Sequence, residues 1–333
     1  MKILFIGGTG TISTAISKKL LEAGEELYIL NRGSRNDILP GAQVIKADIN
    51  NEAEAKAAIE AAVGDTVFDV VCDFICFVKS QAERDFRIFK DRCRQFMFIS
   101  SASAYQKPVG NYIITESTPL YNPYWKYSRD KIEIEEYLIS QYREAGFPIT
   151  IIRPSHTYDE RNIPLGVHGD KGSYQVVKRM LEGKPVIIHG DGTSLWTMTH
   201  NSDFAVGFIG LMNNPKAIGE AFHITSDESL TWNEIYSDIA AVLGIKLNAV
   251  HISSEVLVKY SDYDFTGSLI GDKANSVVFD NSKVKRLVPE FTMKMPFYKG
   301  VKQTIDYVLT HSECQIPDPE FDAWCDKIIA DKT

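Results

Sequence analysis

Through residue 153 the chain alternates short, near-continuous apolar runs with longer stretches whose apolar residues recur at helical spacing. The strand-length runs are KILFIG (2–7), ELYILN (26–31), QVIKAD (43–48), FDVVCDF (68–74), QFMFIS (95–100) and ITIIRP (149–154). Between them lie TISTAISKKLLEAG, EAEAKAAIEAAVG, SQAERDFRIFKD and KYSRDKIEIEEYLISQYREAG, each with an apolar stripe of helical period. Strands that are apolar on both faces and separated by helices predict a parallel sheet covered on both sides. The fold class is therefore α/β, doubly wound, with ligands expected at the carboxyl ends of the strands. After residue 155 the rhythm loosens. GSYQVVKRMLEG, NSDFAVGFIGLMNN, TWNEIYSDIAAVLG and YKGVKQTIDYVLTHS read as helices, and PVIIHGDG as a strand and turn. The pattern predicts a sheet domain over 1–155, to which segments at about 186–215 return. The rest of 156–333 reads mostly as a smaller, interleaved α/β cap that binds substrate.

The loop FIGGTGTIS follows the first strand and opens the first helix. Gly7 and Gly10 let backbone approach a pyrophosphate that a Cβ would obstruct, and a helix start offers free N–H groups to the anion. Strand, loop and helix in this order make a dinucleotide site the expectation. Ser13 stands where a third glycine of the pattern would fall, which predicts weakened fit rather than lost binding. At the end of the second strand, LNRGSR places Asn31, Arg32, Ser34 and Arg35 where an acidic residue would take the ribose hydroxyls of NAD. Guanidinium donors attract a 2′-phosphate, so NADP is expected, with NAD the alternative. Asp48 in KADIN is placed to accept from the adenine amino group or to cap the next helix.

In the helical stretch KYSRDKIEIEEYL, Tyr127 and Lys131 are four apart, on one face and one turn from each other. A phenol is a poor base at neutral pH. Bringing it from about 10 to near neutrality asks for about 4 kcal/mol of differential interaction, which a neighbouring ammonium together with an oxidised nicotinamide is expected to supply. Tyr127 is then a candidate proton carrier for a substrate hydroxyl, with Lys131 its partner and a holder of the nicotinamide ribose. FMFISSASAY ends a strand at Ser100–Ser101, where a hydroxyl can donate to the same substrate oxygen.

Taken together, GGTGTIS, ADIN, FISSASAY, YSRDK, IIRPSHTY and GDGTSLWTMTHNSDFA resemble the extended short-chain dehydrogenase/reductases of the NAD(P)-dependent epimerase/dehydratase family. The likeness spans nearly the whole chain. It implies a Rossmann-type sheet, Tyr127 as acid/base, Lys131 as its partner and Ser101 as the oxygen-binding hydroxyl. It further implies cofactor contacts from Thr9, Thr11, Ile12, Ile49, Ser100 and Pro154, beside Gly7, Gly10, Asn31, Arg32, Arg35, Asp48, Tyr127 and Lys131. The implied activity is an epimerase or related oxidoreductase acting on a sugar or nucleotide sugar, and a homodimer is a family-level expectation.

Two departures narrow the chemistry. Sugar 4,6-dehydratases carry an Asp-Glu pair after the hydroxyl residue, whereas this chain has Ala102 and Ser103, which argues against water elimination. Nucleotide-sugar epimerases carry a diphosphate-pairing arginine where this chain has Trp196; Lys171, Lys178 or Arg179 are candidates to compensate. The chain also resembles the chloroplast stem-loop RNA-binding proteins of a divergent branch, so a non-catalytic dinucleotide sensor or RNA-binding protein is the alternative.

Bulk numbers refine this picture. A net charge of −8 argues against a general nucleic-acid partner, which would need clustered Lys and Arg. The five cysteines form no C-x-x-C, and Cys72 and Cys76 lie in an apolar run as expected buried thiols. His156, His168, His189 and His200 show no ligand spacing, so no metal is expected. Glu133, Glu135 and Glu136 read as a solvated helix face. No stretch approaches the ~20 apolar residues that span a bilayer, and a soluble, cytoplasmic chain is the expectation.

Overall fold

Each apolar run becomes a strand. They are β1 (Lys2–Ile6), β2 (Glu26–Asn31), β3 (Gln43–Lys46), β4 (Val70–Asp73), β5 (Phe96–Ile99) and the strand Ile149–Pro154. The structure is a computed structural model that describes residues 1–33, 39–260 and 262–332. A seventh strand, Ala221–Ile224, completes the sheet at one edge. From that edge the order is 221–224, 149–154, β5, β4, β1, β2, β3, and every neighbouring pair is parallel. The order reverses between β1 and β4, which opens a crevice at their carboxyl ends.

Alternation along β1 sends Ile3 and Phe5 to one face and Leu4 and Ile6 to the other. The first face packs against α1 (Thr11–Glu22), through Ile16 and Leu20, and against the helix Asn201–Leu211, through Phe204 and Phe208. The second packs against α2 (Glu52–Val63), α3 (Lys79–Phe89) and α4 (Lys126–Ala145), through Ile59, Ile88, Ile134 and Leu138. Each such side chain contributes about 1.5–3 kcal/mol on burial. The α4 helix, which carries Tyr127 and Lys131, ends at Gly146 in the left-handed conformation (φ 67°) that glycine adopts without strain.

A third core lies apart from the two faces of the sheet, around Val176, Val186, Ile188, Trp232 and Ile235. The return to the sheet begins later than the sequence suggests. Val186–His189 pairs with Ala249–Ile252, apart from the central sheet, while Asn201–Leu211 and Ala221–Ile224 join it. Near the crevice, Thr266–Lys273 forms a π-helical turn in which the Ala274 N–H donates to the Leu269 carbonyl, five residues back, at 2.9 Å. Among the described residues no helix is long and apolar enough to cross a membrane.

Candidate active site

The glycine loop and the ends of β2 and β3 line a cavity of about 530 Å³. Gly7, Thr9, Gly10, Asn31, Arg32, Asp48 and Ile49 all line it. Gly7 and Gly8 sit at φ 97° and 86°, a region that costs any other residue strain. The cradle therefore exists in backbone, and a dinucleotide fits the residues present. Thr11 and Ile12 open α1, where helix N–H groups lack intrahelical partners, but they lie outside this cavity's wall. Ser13 is buried, and its Oγ accepts the Gly10 N–H at 2.9 Å, so the residue in the third-glycine position clamps the loop. The Asn31 side chain accepts from Gly33 N–H at 2.8 Å, and Asp48 accepts from Asn50 N–H at 2.9 Å. Both polar groups are thus held by their own turns. Arg35 and Ser34 lie outside the described residues.

A second cavity, of about 310 Å³, is lined by Ser101, Tyr127 and Pro154 together. Behind Ser101 runs a chain of hydroxyls. Ser128 donates to Ser103 at 2.7 Å, and Ser103 and Ser101 are bonded at 2.8 Å. Either hydroxyl of the Ser101–Ser103 pair can be the donor; when Ser103 donates to Ser101, the Ser101 proton is left for Tyr127. The bond between Ser101 and Tyr127 lowers the phenol's pKa. Burial is the larger effect and pushes Tyr127 up. The phenol therefore holds its proton in this environment, and the help expected from the Lys131 ammonium is not among the effects on it.

Lys131 explains the difference. Its Nζ lies 5.6 Å from the Tyr127 ring centroid, yet it donates to the carbonyls of Cys76 at 2.6 Å and Ile99 at 2.7 Å. The ammonium ties the end of β5 to the segment after β4, and burial brings its pKa down to about 8. Lys131 lines neither cavity. Ser100 also turns away: its hydroxyl donates to Glu135 in the interior. Glu135 corrects the reading of EIEE as a solvated face. It is fully buried and forms a two-pronged pair with Arg153, at 2.6 and 3.0 Å.

Sequence reasoning missed Lys107, Asp272 and Lys273, which line the second cavity. Lys107 belongs to no motif, and the π turn that presents the other two leaves no periodic signal. The expected compensation at Trp196 is not met by two of its candidates. Arg179 is locked to Asp322 and Asp326 at 2.7 Å each, and Lys178 sits on the surface 3.9 Å from Glu182. Lys171 is half-exposed, 3.9 Å from Asp318. His156 lines the cavity and its Nδ1 accepts from Trp196 Nε1 at 3.3 Å; burial lowers its pKa to about 3, so it is neutral. Asp73, Cys76 and Asp85 cluster beneath the crevice, but the cation among them is Arg84, 3.0 Å from Asp73 and 2.6 Å from Asp85.

A profile of the NAD dependent epimerase/dehydratase family matches residues 3–225. The chain belongs to that family. Its relatives include the 2'-dehydrokanamycin reductase of Streptomyces kanamyceticus, 24% identical over 293 residues (87% of this chain, 80% of the reductase). A putative UDP-glucose 4-epimerase of Methanocaldococcus jannaschii is 27% identical over 265 residues (75% of this chain, 85% of that protein). Among solved structures, the UDP-glucuronic acid 4-epimerase of Bacillus cereus, in complex with UDP-glucuronic acid and NAD, superposes with a TM-score of 0.73. It is 19% identical, with 93% of this chain and 99% of that one covered. As an epimerase/dehydratase family member, the chain is an enzyme of the extended short-chain dehydrogenase type, with NAD-dependent relatives.

Proposed function

We propose that the protein is an NAD(P)-dependent epimerase or closely related oxidoreductase of a sugar or nucleotide sugar, with Tyr127 moving the proton. The observation that carries this reading is the meeting of Ser101 and Tyr127 in one cavity at the carboxyl end of the sheet. When bound in the glycine-loop cradle, a nicotinamide dinucleotide supplies a hydride donor or acceptor. Ser101 donates to the substrate oxygen and fixes its position. Tyr127, protonated in this environment, gives its proton to a carbonyl oxygen in the reducing direction and recovers it in the oxidising one. Lys131 holds the strand ends that carry Ser101 and the loop below it. Retention of the oxidised sugar leads to an epimer, whereas release leads to net oxidation or reduction.

The exposed Arg32 in the cradle supports NADP over NAD, since a guanidinium complements a 2′-phosphate. The positions of Arg179 and Lys178 remove two of the three cations expected to offset a diphosphate near Trp196, so the sugar ring is the part most clearly provided for. Purified protein is to be assayed with NAD and NADP against free and nucleotide-linked sugars, following absorbance of the reduced cofactor and the epimer by chromatography. Tyr127→Phe is expected to cut kcat about 10²–10⁴-fold while cofactor affinity stays within a few-fold. Unchanged turnover in that variant would end the proposal.

A further inference from the structure

We propose that Lys107 and Lys273 form a recognition site for one anionic substituent, carboxylate or phosphate, carried by the sugar. This rests on the reading of the Tyr127 cavity as the sugar site. The charged side chains on the cavity wall are Lys107, Lys273 and Asp272, two ammoniums against one carboxylate. Lys107 is 2% exposed. Its backbone N–H is fixed to the Tyr121 carbonyl at 2.7 Å, so the residue is held in place. Among the described residues its ammonium has no hydrogen bond or ion pair within reach, and Asp272 is the carboxylate that acts on it from a distance. Lys273 is scarcely better served: its Nζ is 4.0 Å from Asp272 and 3.5 Å from the Ser268 carbonyl.

A buried ammonium without partners costs several kcal/mol, and folds bear that cost where a ligand supplies the missing charge. Burial accordingly lowers the pKa of both lysines and raises that of Asp272. An anion entering the cavity pairs with the two lysines, and its like charge favours the neutral form of Asp272, the direction in which burial already pushes that carboxyl. The cavity's 310 Å³ admits a sugar ring with one such substituent. The same charge excess disfavours a cationic sugar. A purely structural role for Lys107, as counter-charge to Asp272, predicts instead that its loss alters stability and leaves sugar preference alone.

Trp125 and Trp196 line the cavity, so their fluorescence reports occupancy without turnover. The full chain, with NAD present, is titrated with glucuronate, glucose 6-phosphate and glucose. At least one anion is expected to half-saturate tenfold below glucose, and the one that does identifies carboxylate or phosphate. Lys107→Met is expected to erase this preference and Lys107→Arg to keep it. Equal or absent responses to the three sugars overturn the site, as does a preference that survives Lys107→Met. If circular dichroism shows that variant unfolded, Lys273→Met decides by the same two outcomes. Failure of the oxidoreductase reading looks different: anion preference remains, but no sugar yields cofactor-dependent turnover.

Discussion

At the residue scale the chemistry rests on the direction of a few protons. Asn122 Nδ2 donates to the Ser103 and Gly271 carbonyls at 2.8 Å each, and at 3.3 Å to Ser128 Oγ. Ser128 donates to Ser103, and the arrangement in which Ser103 donates to Ser101 and Ser101 to Tyr127 is the relay that variants at Ser101 and Ser103 test. Ser101 touches the substrate oxygen in this scheme, whereas Ser103 acts through Ser101. Removal of an oxyanion donor costs about 10²–10³-fold in kcat. Loss of one orienting neutral hydrogen bond costs about 0.5–1.5 kcal/mol, roughly 2- to 10-fold. Ser101→Ala is therefore expected to lose far more than Ser103→Ala, and Ser103→Ala to move the alkaline limb of the pH–rate profile upward, because the phenol loses polarisation. Equal losses in the two variants, or an unmoved alkaline limb, contradict the relay. Ser103 stands where the sugar dehydratases of the family carry part of an acid pair, so the same position serves a different purpose here.

At the scale of elements, α4 is anchored to the sheet by charge as well as by apolar packing. Glu135, one turn beyond Lys131, receives the Arg153 guanidinium and the Ser100 hydroxyl. Arg153 also donates to the Tyr105 hydroxyl and the Glu116 carbonyl, both at 3.3 Å. The group thus ties α4, the strand Ile149–Pro154 and the end of β5 together. An unpaired guanidinium left in such a place is costly. Glu135→Ala is expected to destabilise the fold by about 3–5 kcal/mol, measured by urea unfolding. A loss below 1 kcal/mol would show that water reaches the arginine. The pair was not legible in the sequence, because three glutamates within four residues look alike when only spacing is seen. Burial is decided by the helix's rotation against the sheet, a tertiary fact.

For the whole molecule, what the sequence disclosed follows from periodicity. The six strands of the first half stand out as near-continuous apolar runs and its four helices by a spacing of about 3.6 residues; the C-terminal ends of β1 and β5 lead into the glycine loop and Ser101, and the first turn of α4 carries Tyr127. What it withheld lacks a period: the edge strand Ala221–Ile224, the π turn with Asp272 and Lys273, and the direction of the Lys131 ammonium.

Histidine burial is a second property of the whole, because it depends on more than one core. His189, His200 and His223 are buried, and burial lowers the pKa of each; for His189 it falls to about 4. An unfolded histidine titrates near 6.5. Between pH 6.5 and about 4 the unfolded chain therefore binds more protons, and stability present above 6.5 is lost as pH falls. Asp73, Asp85 and Asp272, raised by burial, take up protons when folded and oppose this, so the histidine share is read by difference. His189 packs edge-on against Trp232, with ring centroids 4.9 Å apart, and bonds the Lys273 carbonyl at 3.2 Å. His189→Gln is expected to weaken the fold at pH 7 but to shrink the loss between pH 7 and pH 5 by about 1–2 kcal/mol. Urea midpoints at the two pH values check this. An unchanged pH 7 to pH 5 difference would mean that the imidazole titrates in the folded chain as it does in water.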